Sequence, residues 1–377
     1  MAKLECALAG SLLKPLAETP LLSVVIPSYN RPQELSMAVQ SIASQLTGGL
    51  EHKVEILISD NGSGADTVEA IKSLAGQYGQ VSYMLNAQDQ GGFFNLFAAP
   101  WRARGAYTWT FGSDDFLLEG GVASVVTLLE KENPSFLTLN KRAANASLDK
   151  MLMDAANSVE TRRFNTFVEL FCAIGINQLA FISAQVEKTE AARAIDPEFY
   201  LRTDSRHPHV AAFLEKHAHA PACYSAETHV VHRLDNSTML DYHGGNFFDY
   251  GVTFPVLLLQ IADKVGAPKD FLERITGLKR ITDYKRPQVT FVDCMFENML
   301  RALYTGRYIP HGHWRTINAA LSAARSDRKA QLAEIWTYSL SLEQLERKEF
   351  AAKQTLQQAR NAALETSKLF TQPTGSQ

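Results

Sequence analysis

The sequence predicts an α/β fold built on a mainly parallel sheet, and three observations carry that reading. Short apolar runs rich in β-branched or aromatic residues recur at 22–27 (LSVVIP), 54–59 (VEILIS), 81–85 and 107–111. Segments with apolar residues at helical spacing alternate with them. Turn-forming residues punctuate the strand ends. The 377 residues, 46% hydrophobic and 20% charged, suffice for two domains with sizeable cores.

Taken in order, the first run stops at Pro27, and Leu35, Ala38, Val39 and Ile42 then mark one face of a helix. The second stops at Asp60-Asn61-Gly62-Ser63, and residues 67–74 read as the next helix. The third leads to Gly91-Gly92 at a helix start, and the fourth to Gly112-Ser113-Asp114-Asp115. A helix at 122–131, a strand at 136–139, a helix near 164–171 and an apolar segment at 179–182 continue the alternation. Buried strands joined by helices imply parallel pairing. Ligands of such sheets bind beyond the carboxyl ends of the strands, where both acidic loops lie.

From about residue 245 helical spacing dominates, at 254–265, 292–304, 313–324 and 341–369. The expected organisation is an N-terminal extension (1–20), an α/β domain (21–243), a helical C-terminal domain (244–370) and a disordered tail (371–377).

The formal net charge is -3 and no Lys/Arg-rich block is present, so nucleic acid is not the expected partner. Cys6, Cys172, Cys223 and Cys294 lie far apart without a C-x-x-C pair, which argues against a zinc cluster or disulfide scaffold and fits a cytoplasmic location. Glu5 and Lys14 bracket the only apolar stretch of the first twenty residues, unlike a signal peptide. The longest apolar segment, 254–262, contains Gln260 and falls short of the roughly 20 residues that cross a bilayer. Peripheral contact with the inner face of a membrane stays open.

Asp114 and Asp115 are adjacent carboxylates at a strand end, an arrangement that is costly unless a cation or solvent compensates it. They close a series of four ordered motifs: SVVIPSYNRP, ISDNGS, NAQDQGGFFN and FGSDD. Together these motifs resemble the family 2 glycosyltransferases of the GT-A fold. The likeness is strong over about 22–120, weak to about 240, and absent from the helical C-terminal part.

The resemblance implies a site. The loop containing Pro27, Tyr29, Asn30 and Arg31 would wrap a nucleobase, and Asp60, with Asn61 and Ser63 beside it, would accept a hydrogen bond from a base N–H. Asn95 would lie near a phosphate or sugar oxygen, close to a helix N-terminus. Asp114 matches the residue near the ribose or donor sugar, and Asp115 matches the ligand of a divalent metal, Mn²⁺ or Mg²⁺. Ser113 stands where the family usually has the first Asp of Asp-x-Asp. In HVVHRLDNS, His232 is a candidate metal contact and Arg233 a diphosphate clamp. The family's Glu-Asp pair is missing from RTDSRHPH, which leaves Asp204 and His209 as competing catalytic bases. Plainer roles compete with each: Asp60 as a helix cap, Asp114-Asp115 as a turn, Asn95 beside a capping glycine pair, Asp204 as a partner of Arg202 or Arg206, and His209 as the first turn of a helix.

The implied activity is inverting transfer of a sugar from a nucleoside-diphosphate donor to a hydroxyl of a glycan or lipid-linked glycan, in capsule or lipopolysaccharide synthesis. Two other readings remain. One is a catalytically idle sugar- or partner-binding protein on the same fold, kept open by Ser113 and the missing Glu-Asp. The other is a nucleotidyltransferase, although PSYNRP lacks the glycine-rich basic loop of those enzymes. The C-terminal helices are candidates for homo-oligomer, partner or membrane contact, with Phe247, Phe248, Tyr250, Lys279, Arg280, Lys285 and Arg286 as candidate surface residues. The donor, the acceptor and the oligomeric state are not legible.

Overall fold

The computed structural model describes residues 11–15, 18–157, 159–203, 205–234, 254–268 and 271–276. The chain divides into two compact units, one of residues 1–201 and 216–237 and one of residues 202–215 and 238–377.

The first unit carries a parallel block of four strands, β1 (Leu22–Ser28), β2 (Val54–Asp60), β3 (Val81–Leu85) and β4 (Tyr107–Thr110), in the order β3-β2-β1-β4. Each run is apolar almost throughout because both sheet faces are covered. On one face Leu22, Val24 and Ile26 join the main core with Leu35, Val39 and Ile42 of helix α1 (Pro32–Ala43) and Ile71 and Leu74 of α2 (Ala65–Gln77). On the other, Val25 and Leu57 meet Ala99 of α3 (Gly92–Arg102) and Ala103 just after it. Pro32 opens α1, where its missing N–H costs nothing.

Beyond β4 come the short β5 (Phe116–Leu117), helix α4 (Gly121–Glu132) and β6 (Phe136–Ala144), five residues longer than the strand expected at 136–139. Next are β7 (Met151–Met153), β8 (Arg162–Phe164) and helix α5 (Phe167–Ile174), whose Thr166 side chain caps the Glu169 amide. The apolar segment at 179–182 enters a 3-10 turn, Ile182–Ala184, leading into β9 (Gln185–Lys188). After helix α6 (Pro208–His217) comes β10 (Ala222–Arg233). The sheet has ten strands, with the main path β3-β2-β1-β4-β9-β6-β10-β5. β9 lies antiparallel between β4 and β6, while β6 and β10 pair in parallel. β1, β2, β3, β4, β6 and β10 therefore point the same way. Their carboxyl ends share one edge with the amino end of β9.

Glu187 of β9 is buried in this unit, 2.5 Å from Lys216 Nζ and 2.9 Å from His217 Nε2, and His217 Nδ1 lies 2.8 Å from the Ser135 hydroxyl. Burial pushes the Glu187 pKa up, but Lys216 and His217 outweigh it and hold the group below the usual 4.5. Burial holds His217 below its usual 6.5 against the opposing pull of Glu187. Stability thus falls as pH drops below 6.5, where the unfolded chain takes up the proton that folded His217 refuses, and falls further below 4.5, where Glu187 must be protonated.

In the second unit, residues 208–215 of α6 present His209 against Phe213, with ring centroids 5.8 Å apart, and His207 lies 5.5 Å from Phe254 of α7 (Phe254–Lys264). This last helix matches the expected 254–265. The helices expected at 292–304, 313–324 and 341–369 lie outside the described residues, as does the surface set from Phe247 to Arg286. Among the described residues no helix is long and apolar enough to cross a membrane.

Glu187→Gln removes the carboxylate that Lys216 and His217 share, and is expected to lower the unfolding free energy by roughly 3 kcal/mol at pH 7. Urea unfolding of the two proteins checks this, and an unchanged midpoint would contradict it.

Candidate active site

Two loops at the carboxyl edge of the sheet are tied to each other by side chains. Asp60 ends β2 almost fully buried, and its Oδ2 accepts from the amides of Gly62 (3.1 Å) and Ser63 (2.9 Å) while Oδ1 accepts from the Ser63 hydroxyl at 2.5 Å. Asn30, with a left-handed φ of 51°, donates its amide to Ser63 Oγ and accepts from the Gly64 amide, both at 2.9 Å. The Asn61 amide donates to Ser28 O at 2.9 Å, and its side-chain oxygen accepts from Asn86 Nδ2 and the Gln90 amide. Gly62 cannot be replaced lightly: its φ is +78°, and a Cβ there would stand 2.5 Å from the backbone of Gln88. Tyr29, at 45% exposure, projects from this framework, with Pro27 and Arg31 to either side.

Asn95 lies beneath these loops. Its Nδ2 donates to Ser59 O at 2.6 Å, and its Oδ1 accepts from Arg102 Nη1 at 2.8 Å and from Ser59 Oγ at 2.5 Å. Arg102 also donates to Asn86 Oδ1 at 2.6 Å. This network braces the loops from below.

At the exit of β4 the two aspartates separate in role. Asp114 pairs with Arg31 Nη1 at 2.5 Å, so a protein cation already balances its charge. Asp115 is 4% exposed; its Oδ2 accepts from the Ser183 hydroxyl, and its Oδ1 has no hydrogen-bond partner of ordinary geometry. Burial, and secondly the charge of Asp114, push its pKa up to about 8, against smaller opposing effects of Ser183, the Arg233 backbone amide and Lys141. A carboxylate so placed attracts a cation. Ser183 is itself fixed: its hydroxyl accepts from the Gly112 amide at 2.8 Å and its carbonyl from Trp109 Nε1 at 2.8 Å. Gly112 leaves the room for this, since a Cβ there would lie 2.9 Å from Asp115 Oδ2, 3.0 Å from Ser183 Oγ and 3.1 Å from Asp114 Oδ1.

β6 and β10 supply the remaining groups. Lys141 places its ammonium 4.0 Å from the centre of the Phe181 ring, and burial lowers its pKa to about 8 despite the nearby charge of Asp115. The His232 ring lies 4.7 Å from the Phe181 ring, and burial, then Lys141, lower its pKa to about 4, so it is neutral at pH 7. Strand alternation turns the next residue, Arg233, away from His232. Its Nε and Nη2 donate to Ala146 O at 3.0 and 2.7 Å.

The structure thus brings Arg31, Asp114, Asp115 and His232 of the expected residues to one place, and Asp60, Asn61, Asn30 and Ser63 to the adjoining loops. Asp204 lies outside the described residues. His209 is buried in the second unit. Lys141, Phe181 and Ser183 were not foreseen: a single lysine in FLTLNKRAA and a serine in an apolar segment carry no spacing that marks them.

Residues 23–184 match the model of glycosyl transferase family 2. They are a family 2 glycosyltransferase domain. The domain includes Lys141, Phe181 and Ser183 as well as the four motifs, and its α/β architecture is the GT-A fold. Among similar proteins, abequosyltransferase RfbV of Salmonella typhimurium is 29% identical over 231 residues, 58% of this chain and 68% of the relative. A GalNAc(5)-diNAcBac-PP-undecaprenol beta-1,3-glucosyltransferase of Campylobacter jejuni is 32% identical over 118 residues, 31% of this chain and 36% of the relative. The crystal structure of S. aureus TarS superposes with a TM-score of 0.51 at 12% identity, covering 83% of this chain and 52% of that one, and shows a shared fold.

Gly112→Ala forces its Cβ on side-chain oxygens rather than on backbone. The glycosyltransferase is therefore expected to stay folded, with its Tm changed by no more than about 3 °C, while sugar transfer slows by about tenfold or more as the carboxylates shift. Transfer at the wild-type rate would show that the close packing around Gly112 is without consequence.

Proposed function

We propose that the domain transfers a sugar from a nucleoside-diphosphate donor, with the nucleotide against the loops after β1 and β2 and the diphosphate toward Asp115. The observation that carries this reading is the buried, unpartnered Oδ1 of Asp115 beside an Asp114 already balanced by Arg31. A buried carboxylate with one oxygen lacking a partner is costly, and a cationic ligand removes the cost.

The residues fit a hard divalent ion, Mn²⁺ or Mg²⁺. Asp115 Oδ1 is available as an oxygen ligand, and the neutral His232 imidazole is near enough to Asp114 to feel its charge. No three His, Cys, Asp or Glu side chains converge as a metal cage among the described residues. An ion held mainly by one carboxylate would take its other ligands from phosphates and water. When bound, such an ion supplies positive charge that stabilises the departing diphosphate.

The chain's own residues do the rest. Tyr29 offers a ring for the nucleobase, with Pro27 and Asn30 shaping the loop edge. Asp60 and Ser63 hold the adjoining backbone in register, and Asn61 and Asn95 brace it. Arg31 orients Asp114 toward the ribose or the donor sugar. Asp204 or His209 takes the proton from the acceptor hydroxyl as its oxygen attacks the anomeric carbon with inversion. The acceptor is a glycan or lipid-linked glycan of a bacterial surface polysaccharide, met at the inner face of the membrane. The support is the relatives, one an abequosyltransferase and the other named for an undecaprenol-linked substrate.

Calorimetric titration with UDP, GDP, CDP and dTDP, each with and without Mn²⁺, tests the reading. One nucleotide is expected to bind with metal dependence, and Asp115→Asn to weaken it at least about tenfold. The same variant is expected to melt no lower than wild type, because it removes a buried ionisable group with an unpartnered oxygen. Failure of all four to bind would favour a catalytically idle fold.

A further inference from the structure

Among the described residues Arg31, Lys141 and Arg233 are the cations nearest the Asp114-Asp115 corner in the fold, and they are held differently. Arg31 is held by Asp114, and Arg233 by the Ala146 carbonyl. Lys141 is different. Its ammonium, with three hydrogen-bond donors, faces the Phe181 ring at 4.0 Å and makes no hydrogen bond or ion pair among the described residues. It does not reach Asp115 to close a salt bridge, although each feels the other's charge. Lysine in a partly buried strand position ordinarily extends to water or pairs with an acid. Here a buried carboxyl oxygen without a hydrogen-bond partner of ordinary geometry and an ammonium that faces a ring stand near each other without forming a salt bridge.

A carboxyl group and an ammonium held apart in this way suit a ligand that carries both signs, a cation that draws the proton off Asp115 and anionic oxygens for Lys141. On the neighbouring strand β10, Val230 pairs with Lys141 and His232 lies two residues further on. The Phe181 ring faces the ammonium without satisfying its three donors.

We infer that Lys141 is a binding residue for the donor's diphosphate, its ammonium meeting the phosphate oxygens from β6 while Asp115 approaches from the exit of β4. This rests on the donor site proposed above. It assigns the protein's own charge for the leaving group to Lys141 rather than to Arg233, whose Nε and Nη2 hold the Ala146 carbonyl on the other side of the strand while its Nη1 is buried without a hydrogen-bond partner.

The test titrates the full chain, with Mn²⁺ present, with whichever of UDP, GDP, CDP and dTDP the wild type binds, and with the corresponding monophosphate. Lys141→Met is expected to weaken the diphosphate about 10- to 100-fold, to change the monophosphate less than about threefold, and to be largely rescued in Lys141→Arg. Wild-type affinity for the diphosphate in Lys141→Met would overturn the inference and leave the donor site standing. An equal loss for both nucleotides would also overturn it, by showing a role in the fold. A wild type that binds no nucleoside diphosphate would overturn the donor site and the inference with it. Wild-type protein supplies a check independent of any variant: the diphosphate, and not the free nucleoside, is expected to shield Lys141 from an amine-acylating reagent, read by mass spectrometry. An unshielded Lys141 in the nucleotide-saturated protein would refute the assignment.

Discussion

Parallel pairing of β1 with β2 and with β4 is the constraint from which the site follows, because it brings Ser28, Asp60 and Phe111 to the same edge of the sheet. A strand that ends inside a protein leaves amides and carbonyls that no further strand will pair, and each must find a partner. The loops here meet that demand with short polar side chains. Asp60 takes the Gly62 and Ser63 amides, Asn30 takes the Gly64 amide, and Asn61 extends the ladder to Ser28. The same bonds that satisfy the chain make the edge rigid, which lets it present a fixed surface to a ligand at little ordering cost.

The β4 exit departs from this economy. Asp115 is buried with one oxygen on Ser183 and the other without a partner, next to a second carboxylate. A packed core would not choose that arrangement, and local violations of polar satisfaction are where function is expected to reside. The surrounding structure holds the carboxylate in place: the Trp109 indole and the Gly112 amide pin Ser183, and the absence of a side chain at Gly112 leaves space for the two acids. Destabilisation at this corner is offset elsewhere in the unit by the Glu187, Lys216 and His217 group and by strands whose apolar side chains are covered on both faces.

The insertion of β9 antiparallel between β4 and β6 decides which later residues join the edge. Running opposite to its neighbours, β9 begins where they end, so the turn before it delivers Phe181 and Ser183 to the aspartates. β6, longer than its apolar start suggests, carries Lys141 to the same edge, and parallel pairing with β10 brings His232 alongside. Arg233, one residue on, is committed to the other side of the strand by the alternation of side chains.

The sequence by itself determined β1 to β4 and their acidic exits, because near-continuous apolar runs closed by turn residues announce buried parallel strands without reference to the rest of the chain. Asp60, Asp114 and Asp115 were legible for the same reason: each adjoins the strand that places it. Only the tertiary structure decided how those carboxylates are balanced. Arg31 reaches Asp114 across 83 positions and Ser183 reaches Asp115 across 68, distances over which no local pattern records a contact. β9 was illegible because its polar QVEK is buried through partners at Lys216 and His217, and Lys141 because a lysine in a strand is ordinarily a solvated surface residue. Long-range strand pairing, which has no signature in either partner alone, brought these residues together.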